Sequence, residues 1–113
     1  MKLVFMYYPV KNLNESLAFY QDTLGFEEAW REGENTVALH MPGTDVRLLI
    51  EDDEFGLPAG GVFLVDSVDD YYREYKETVE FIKEPVTIPP GRYAIYKDHS
   101  GNLLRIIDFS NQN

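Results

Sequence analysis

The chain has 113 residues, no cysteine and a net charge of −10, from 20 acidic and 10 basic side chains. The acidic balance argues against a nucleic-acid partner, whose phosphates need clustered Lys and Arg, and the lack of cysteine excludes disulfides and thiolate metal sites. No apolar run reaches the roughly 18 residues of a membrane span, and the first residues lack a signal-peptide cleavage site, so we expect a cytoplasmic protein with no membrane partner.

The first half of the chain predicts one helix among four strands. Asn12 can cap a helix that extends to Gly25, which suits the left-handed position after the last turn. Its apolar stripe consists of Leu13, Leu17, Tyr20 and Leu24. We place the strands at residues 3–8, 27–30, 36–41 and 46–51. The stretch 52–61 is acidic and glycine-rich, which predicts a linker.

The second half repeats this order. Adding 55 to the stripe positions gives Val68, Tyr72, Tyr75 and Val79. Ser67 can cap this second helix, which we expect to end near residue 77. We place the strands at residues 62–65, 81–86, 92–97 and 103–108, with Pro85 marking an edge or a bend and 88–91 forming a loop. We interpret the chain as a single domain, 1–113, with duplicated modules of about 1–54 and 60–109.

Two segments carry a family resemblance. V-K-N-L-N-E-S-L-A-F-Y-Q-D-T-L-G-F at 10–26 and K-D-H-S-G-N-L-L-R-I at 97–106 resemble signatures of the vicinal oxygen chelate superfamily, with His99 where proline is usual. That superfamily includes glyoxalase I, extradiol dioxygenases and the bleomycin- and fosfomycin-resistance proteins. The resemblance implies an α+β fold in which two βαβββ modules form a half-open, cup-shaped mixed sheet around a ligand site. It also implies a homodimer, and in the family's enzymes a divalent metal.

Few of the metal positions implied by this resemblance hold a side chain that can bind a metal ion. Transferred one by one, they fall on Phe5, on Ile50 or Glu51, on Gly60 or Gly61, and on Arg105. At most one carboxylate results, whereas a catalytic ion needs three or more protein ligands. His40, expected to be partly buried at a strand end, and His99, expected in a solvated turn, do not complete a set. We therefore predict no metal and no cofactor, and lean against an enzyme.

Strand alternation predicts which side chains face the cup. Leu104 and Ile106 should pack under the helix. The predicted ligand-binding residues are Phe5, Tyr7, Trp30, His40, Ile50, Leu103, Arg105 and Ile107. Arg105 would bind a carboxylate or phosphate, or form an internal salt bridge to Glu51 or Asp52. Tyr7 and Trp30 would form a stacking wall or plain core packing, and the acidic run 52–54 would attract a cation or be solvated.

These residues favour metal-free binding of a small hydrophobic or aromatic molecule, as in the bleomycin-resistance branch, and the acidic balance would also suit a cationic one. One alternative is a metal-dependent glyoxalase-type lyase or extradiol-type dioxygenase. Another is a non-catalytic regulatory dimer module, which a closed and filled cup would indicate. A metal-free acid–base enzyme using Tyr7 or His40 also stays open. The sequence does not identify the ligand.

Overall fold

The computed structural model describes residues 1–53 and 56–111, and the chain divides into two compact units. One unit is Val4–Ala59, and the other joins Met1–Leu3 to the chain from Gly60 onward. Within the described residues, no helix is long and apolar enough to cross a membrane.

The first module has the order strand, helix and three strands. Its elements are β1 (Lys2–Pro9), α1 (Leu13–Leu17) continued by a π-helical segment (Ala18–Thr23), β2 (Glu27–Glu32), β3 (Thr36–His40) and β4 (Arg47–Glu51). Strand β4 pairs in parallel with β1 and antiparallel with β3, which pairs antiparallel with β2. The sheet of this module is therefore mixed, in the order β1-β4-β3-β2.

The second module repeats that topology. Its elements are β5 (Gly60–Leu64), α2 (Val68–Tyr75), β6 (Glu80–Ile88), β7 (Gly91–Lys97) and β8 (Leu103–Ile107). Strand β8 pairs in parallel with β5 and antiparallel with β7, which pairs antiparallel with the edge strand β6. The predicted α+β class and the two βαβββ modules with mixed, open strand pairing are confirmed.

The predicted helix signals are also confirmed. The side chain of Asn12 accepts a hydrogen bond from the Glu15 N–H at 2.9 Å, and that of Ser67 accepts one from the Asp70 N–H at 3.1 Å. Each satisfies a donor that the first helical turn leaves without a backbone partner. Gly25 has a φ of 75°, the left-handed conformation predicted at the end of the first helix.

The prediction of an apolar stripe along the first helix is wrong at its last position. Leu13 and Leu17 are buried as predicted, whereas Leu24 keeps 47% of its surface exposed. The cause is the π-helical segment, in which the Leu24 N–H donates to the Phe19 carbonyl five residues back. A π-turn holds more residues than an α-turn, so Leu24 is rotated away from the buried face.

The second helix also departs from the prediction. It ends at Tyr75, earlier than the expected position near residue 77, and Tyr75 is 36% exposed. Tyr71, outside the predicted stripe, stacks on Tyr96 with ring centroids 5.7 Å apart. Short helices are positioned by the residues they pack against, and here the aromatic ring of Tyr96 determines which face is buried.

Strand β6 is longer than predicted because it tolerates irregular pairing. It extends to Ile88, so the predicted loop at 88–91 shrinks to the two prolines between β6 and β7. The pairing shifts register between Lys83 and Val86, which accommodates Pro85 at the sheet edge, as predicted. In the first module, β2 continues to Glu32, two residues beyond the expected end.

Each module buries a core beneath its helix. The first consists of Leu13, Leu17, Val37, Leu39, Leu48 and Ile50, and the second of Val68, Ala94, Tyr96 and Ile106. Leu104, half-buried, packs against the second core, so the predicted placement of Leu104 and Ile106 under the helix is confirmed. An aspartate braces each helix start: Leu13 N donates to Asp52 Oδ2 at 3.3 Å and Val68 N to Asp108 Oδ2 at 2.8 Å.

Candidate functional site

Strand register decides which side chains share a sheet face. In the first module Tyr7 lies opposite Leu49, and in the second Val62 lies opposite Arg105. Tyr7 and Val62 are equivalent under the offset of 55, so the counterpart of Arg105 is Leu49. The predicted counterpart, Ile50 or Glu51, is wrong because the second module holds one additional residue between its first and last strands.

Ile50 lies on the wrong face for the ligand role predicted for it. It has no exposed surface and packs with Leu13 and Leu17 of α1. Since successive side chains of a strand alternate, its neighbour Glu51 takes the face that carries Tyr7. The open question of the fourth strand is thereby resolved in favour of Glu51, and the placement of Ile50 is corrected.

Glu51 is the centre of a hydrogen-bond cluster on this face. The Tyr7 hydroxyl donates to Glu51 Oε1 at 2.6 Å, and the Thr36 hydroxyl donates to Oε2 at 2.5 Å. Burial raises the pKa of the Glu51 carboxyl; the Thr36 and Tyr7 hydrogen bonds oppose this, and the carboxyl of Asp53 adds to it, so the pKa is raised on balance. From the sequence, Glu51 was expected at a metal position or as a salt-bridge partner of Arg105, and nothing in the sequence predicted this cluster.

The aromatic wall has a different composition from the predicted one. Trp30 contacts Phe5 edge to face, with ring centroids 5.9 Å apart and planes at 86°. Phe5 is 7% exposed, whereas Trp30 is 36% exposed. Tyr7, expected beside Trp30, instead directs its hydroxyl to Glu51. His40 is exposed at the end of β3, not partly buried as predicted, and pairs with Arg47, the residue opposite Phe5.

The corresponding face of the second module is built around Arg105. Its side chain has no exposed surface and lies, in register, between Val62 and Ile95. A Cβ atom at Gly60 would lie 3.3 Å from Arg105 Nη1, so the guanidinium occupies the space beside this glycine. On the same strand, Leu103 is half-buried and Ile107 is 6% exposed.

The predicted site residues therefore differ in accessibility. Phe5, Tyr7, Arg105 and Ile107 each expose less than a tenth of their surface. Trp30 and His40 are exposed and Leu103 is half-buried. A ligand in either module would meet the second set first, and would reach the first set only after neighbouring side chains move.

The acidic run has a structural role in its described part. Asp52 accepts hydrogen bonds from the Leu13 N–H at 3.3 Å and from Asn35 Nδ2 at 2.6 Å. Both carboxylate oxygens thus hold neighbouring segments of the first module together. Asp53 is exposed, and Glu54 lies outside the described residues.

The positions implied for a metal do not fit a divalent ion. With the corrected register they hold Phe5, Leu49, Gly60 and Arg105, which offer no carboxylate, imidazole or thiolate. The Arg105 guanidinium beside Gly60 would also repel a cation there. Over residues 1–53 and 56–111, no three His, Asp or Glu side chains converge in a way that could hold a metal ion.

Comparison with known proteins gives a family and a fold. A sequence model described as the Glyoxalase/Bleomycin resistance protein/Dioxygenase superfamily matches residues 2–106. No curated protein matches the sequence significantly. Among solved structures, the hypothetical protein BH1468 from Bacillus halodurans C-125 is similar with a TM-score of 0.76 and 19% identity, over 99% of this chain and 96% of that one.

Two further structures support the same fold. Methylmalonyl-CoA epimerase from Streptomyces coelicolor, in complex with 2-nitronate-propionyl-CoA, has a TM-score of 0.71 and 19% identity, over 97% of this chain and 98% of that one. A glyoxalase/bleomycin resistance protein/dioxygenase superfamily member from Vibrio splendidus 12B01 has a TM-score of 0.66 and 20% identity, covering 95% and 97% of the two chains. At such identities the likeness shows the fold alone.

Proposed function

The chain belongs to the Glyoxalase/Bleomycin resistance protein/Dioxygenase superfamily, and we propose that it is a metal-free member that binds a small, largely apolar or aromatic molecule. The observation that carries the proposal is the set of residues at the family's metal positions. Phe5, Leu49 and Gly60 offer no donor atom in their side chains, and Arg105 places a positive charge where a ligand at Gly60 would point. These side chains therefore do not provide the metal ligands that metal-assisted chemistry requires.

The first module supplies the surface that we propose for binding. Trp30 exposes about a third of its side chain and is held edge-on by the buried Phe5. The exposed His40 shares this face, and the half-buried Glu51 adds a carboxyl group. An exposed aromatic ring suits a flat molecule, and the net charge of −10 favours a cationic one over an anionic one.

In the second module, Leu103, Arg105 and Ile107 remain predicted ligand contacts. The cytoplasmic location and the homodimer likewise remain predictions, and superfamily membership supports the homodimer alone. The burial of Arg105 means that any direct contact with a ligand requires its neighbours to move.

The first test compares metals with flat organic ligands. Protein purified without chelator is analysed for metal, and its thermal midpoint is measured with Ni²⁺, Zn²⁺, Mn²⁺ and Fe²⁺ and with the planar cation N-methylquinolinium. We expect substoichiometric metal, no shift with the ions, and a midpoint that rises with N-methylquinolinium concentration, because a ligand specific for the folded state stabilises it. Near-stoichiometric metal would overturn the proposal in favour of a metal-dependent lyase or dioxygenase.

Matched variants locate the binding. Trp30→Leu should abolish the shift with N-methylquinolinium, whereas Tyr75→Leu should leave it intact, since Tyr75 has the same 36% exposure but lies in the other module. Each variant is compared with its own ligand-free midpoint, so a loss of stability does not imitate a loss of binding. An equal loss in both variants would contradict the proposed surface.

A non-catalytic module is the second candidate, favoured by burial. Phe5, Tyr7, Arg105 and Ile107, all predicted to face a ligand, expose less than a tenth of their surface, as expected of residues that serve packing. This candidate gains support if no metal or small molecule shifts the midpoint while light scattering shows a dimer. A shift that depends on Trp30 would exclude it.

A further inference from the structure

A cleft on the helix side of the first module lies apart from the surface considered above. Its volume is about 510 Å³, within the range of small-molecule sites. It is lined by Tyr8, Pro9, Val10, Tyr20, Gly56, Leu57, Pro58 and Ala59. Because Tyr8 follows Tyr7 on β1, its side chain points to the opposite face of the sheet from Phe5 and Tyr7.

The π-helical segment places one wall of this cleft. Tyr20 lies within that segment, is half-buried, and stacks on Phe26 with ring centroids 5.9 Å apart and planes at 22°. Leu24 is turned outward by the same winding and is 47% exposed. A π-helix is rare, and π-helical turns within α-helices are frequently found at functional sites. Here the winding leaves Leu24 exposed, and Tyr20 both packs against the first core and lines the cleft.

The lining residues determine the chemistry that the cleft can bind. None of these described lining residues carries a charge, so none of them would offset the hydration that a charged molecule loses on binding. The side chains of Pro9, Val10, Leu57 and Pro58 are apolar and suit the faces of a flat ring. The polar side chains of the lining are the phenols of Tyr8 and Tyr20. Burial, and after it the proximity of Tyr8, raises the pKa of Tyr20, so this hydroxyl stays protonated and can donate a hydrogen bond.

We propose that this cleft is a second binding site, for an uncharged, flat aromatic molecule that bears a hydrogen-bond acceptor. The hydroxyls of Tyr8 and Tyr20 bind the acceptor, and Leu57 and the prolines contact the ring. The site is independent of the proposed function, because its residues lie on the other side of the first module's sheet.

Four naphthalene probes test the ligand class. In a ¹H–¹⁵N NMR titration, 2-acetylnaphthalene is uncharged with an acceptor, naphthalene lacks the acceptor, 2-naphthoate is an anion and 2-naphthylmethylammonium is a cation. We expect 2-acetylnaphthalene to bind tightest and to shift the amides of Tyr8, Tyr20 and Leu57. Naphthalene should bind these residues about 25-fold more weakly, because it loses two neutral hydrogen bonds of about fivefold each. The two charged probes should bind there at least about tenfold more weakly.

Conservative variants test the two phenols. Tyr20→Phe and Tyr8→Phe keep the rings and should each weaken 2-acetylnaphthalene about fivefold while leaving naphthalene unchanged. Tyr75→Phe, a change at an exposed tyrosine outside the cleft, should affect neither probe. Trp30→Leu should also leave this binding unchanged, which separates failure of this proposal from failure of the proposed function.

Three outcomes would overturn the second site. The first is the absence of shifts at Tyr8, Tyr20 and Leu57 with any probe. The second is equal binding of charged and uncharged probes at these residues. The third is a set of shifts that follows protein concentration alone, which would show that a second copy of the chain covers the cleft.

Discussion

The two modules join their last strand to their helix in the same way. Val10 N donates to the Glu51 carbonyl at 2.9 Å, and Val65 N donates to the Ile107 carbonyl at 2.9 Å. These bonds lie between the end of the parallel strand pair and the residues that lead into the helix. The backbone of the βαβββ unit is therefore repeated at this junction, as the internal duplication predicts.

The aspartate that follows the last strand differs between the modules. Asp108 is 1% exposed and accepts hydrogen bonds from Val68 N at 2.8 Å, Arg92 N at 2.9 Å, Ser110 N at 3.1 Å and Ser110 Oγ at 2.7 Å. Asp52 is half-buried and accepts two bonds, described above. Asp108 therefore accepts more hydrogen bonds in the second module than Asp52 accepts in the first.

The sheet faces differ more than the junctions do. In the first module Glu51 and Leu49 point away from the helix, whereas in the second the equivalent residues are Ile107 and Arg105. The first module therefore carries a half-buried carboxyl on this face, whereas the second carries a fully buried guanidinium at a position that is not equivalent. The backbone is repeated between the modules, whereas the side chains on this sheet face are not.

The largest expected difference concerns the two aspartates. Asp108→Ala should lower the free energy of unfolding by about 3 to 5 kcal/mol, because it leaves the buried N–H of Val68 and the partly buried N–H of Arg92 without an acceptor. Asp52→Ala should cost about 1 kcal/mol, since its surroundings are partly solvated. Urea unfolding followed by circular dichroism measures both, with Asp108→Asn, which keeps one acceptor oxygen, as an intermediate control. Equal costs would show that the modules depend on the brace alike.

The next largest difference concerns the residue before Arg92. A Cβ at Gly91 would lie 2.5 Å from Asp108 Oδ1 and 2.7 Å from Ser110 N, so Gly91→Ala must displace the buried aspartate. We expect a cost of about 2 kcal/mol in the free energy of unfolding. The equivalent residue of the first module, Glu34, is exposed, and Glu34→Ala should change stability by less than about 0.5 kcal/mol. Thermal unfolding of the pair checks this; a tolerated alanine at Gly91 would refute the close approach.

The smallest expected effect is a contrast in pH dependence. Since the pKa of Glu51 is raised, the folded state binds its proton more tightly than the unfolded state, and ionisation of Glu51 lowers stability. This cost should be relieved as pH falls from neutral through the raised pKa toward the ordinary 4.5. Relative to Glu51→Gln, the unaltered protein should therefore gain stability, by less than about 1 kcal/mol, over that range.

Asp108 should behave in the opposite sense. Burial would raise its pKa, but the hydrogen bonds from Ser110, Val68 and Arg92 outweigh burial and lower the pKa below the ordinary 3.8. Its contribution is therefore complete above 3.8 and is lost as pH falls through the lowered value. Relative to Asp108→Asn, the advantage should be constant from neutral pH to about 4.5 and shrink below 3.8. Urea titrations at stepped pH measure both residues, and parallel curves would contradict the contrast.

The helix caps could be predicted from the sequence because the groups that interact in them are close along the chain. The caps at Asn12 and Ser67 each involve a donor three residues away, and the left-handed Gly25 follows from the lack of a side chain. The βαβββ order follows from alternation and from turn residues in the same way. Pro85 indicated a sheet edge because it lacks an N–H.

The candidate site depended on contacts that only the tertiary structure decided. Tyr7 and Glu51 are 44 residues apart, and Thr36 and Glu51 are 15 apart. The sequence pattern around each residue therefore does not predict that the three side chains form a cluster. Strand register moved the equivalent of Arg105 to Leu49, since one added residue in a connection shifts every later pairing. The sequence by itself determined where the helices and strands form, whereas pairing between distant strands determined which side chains meet, because register is set by the packing of whole strands.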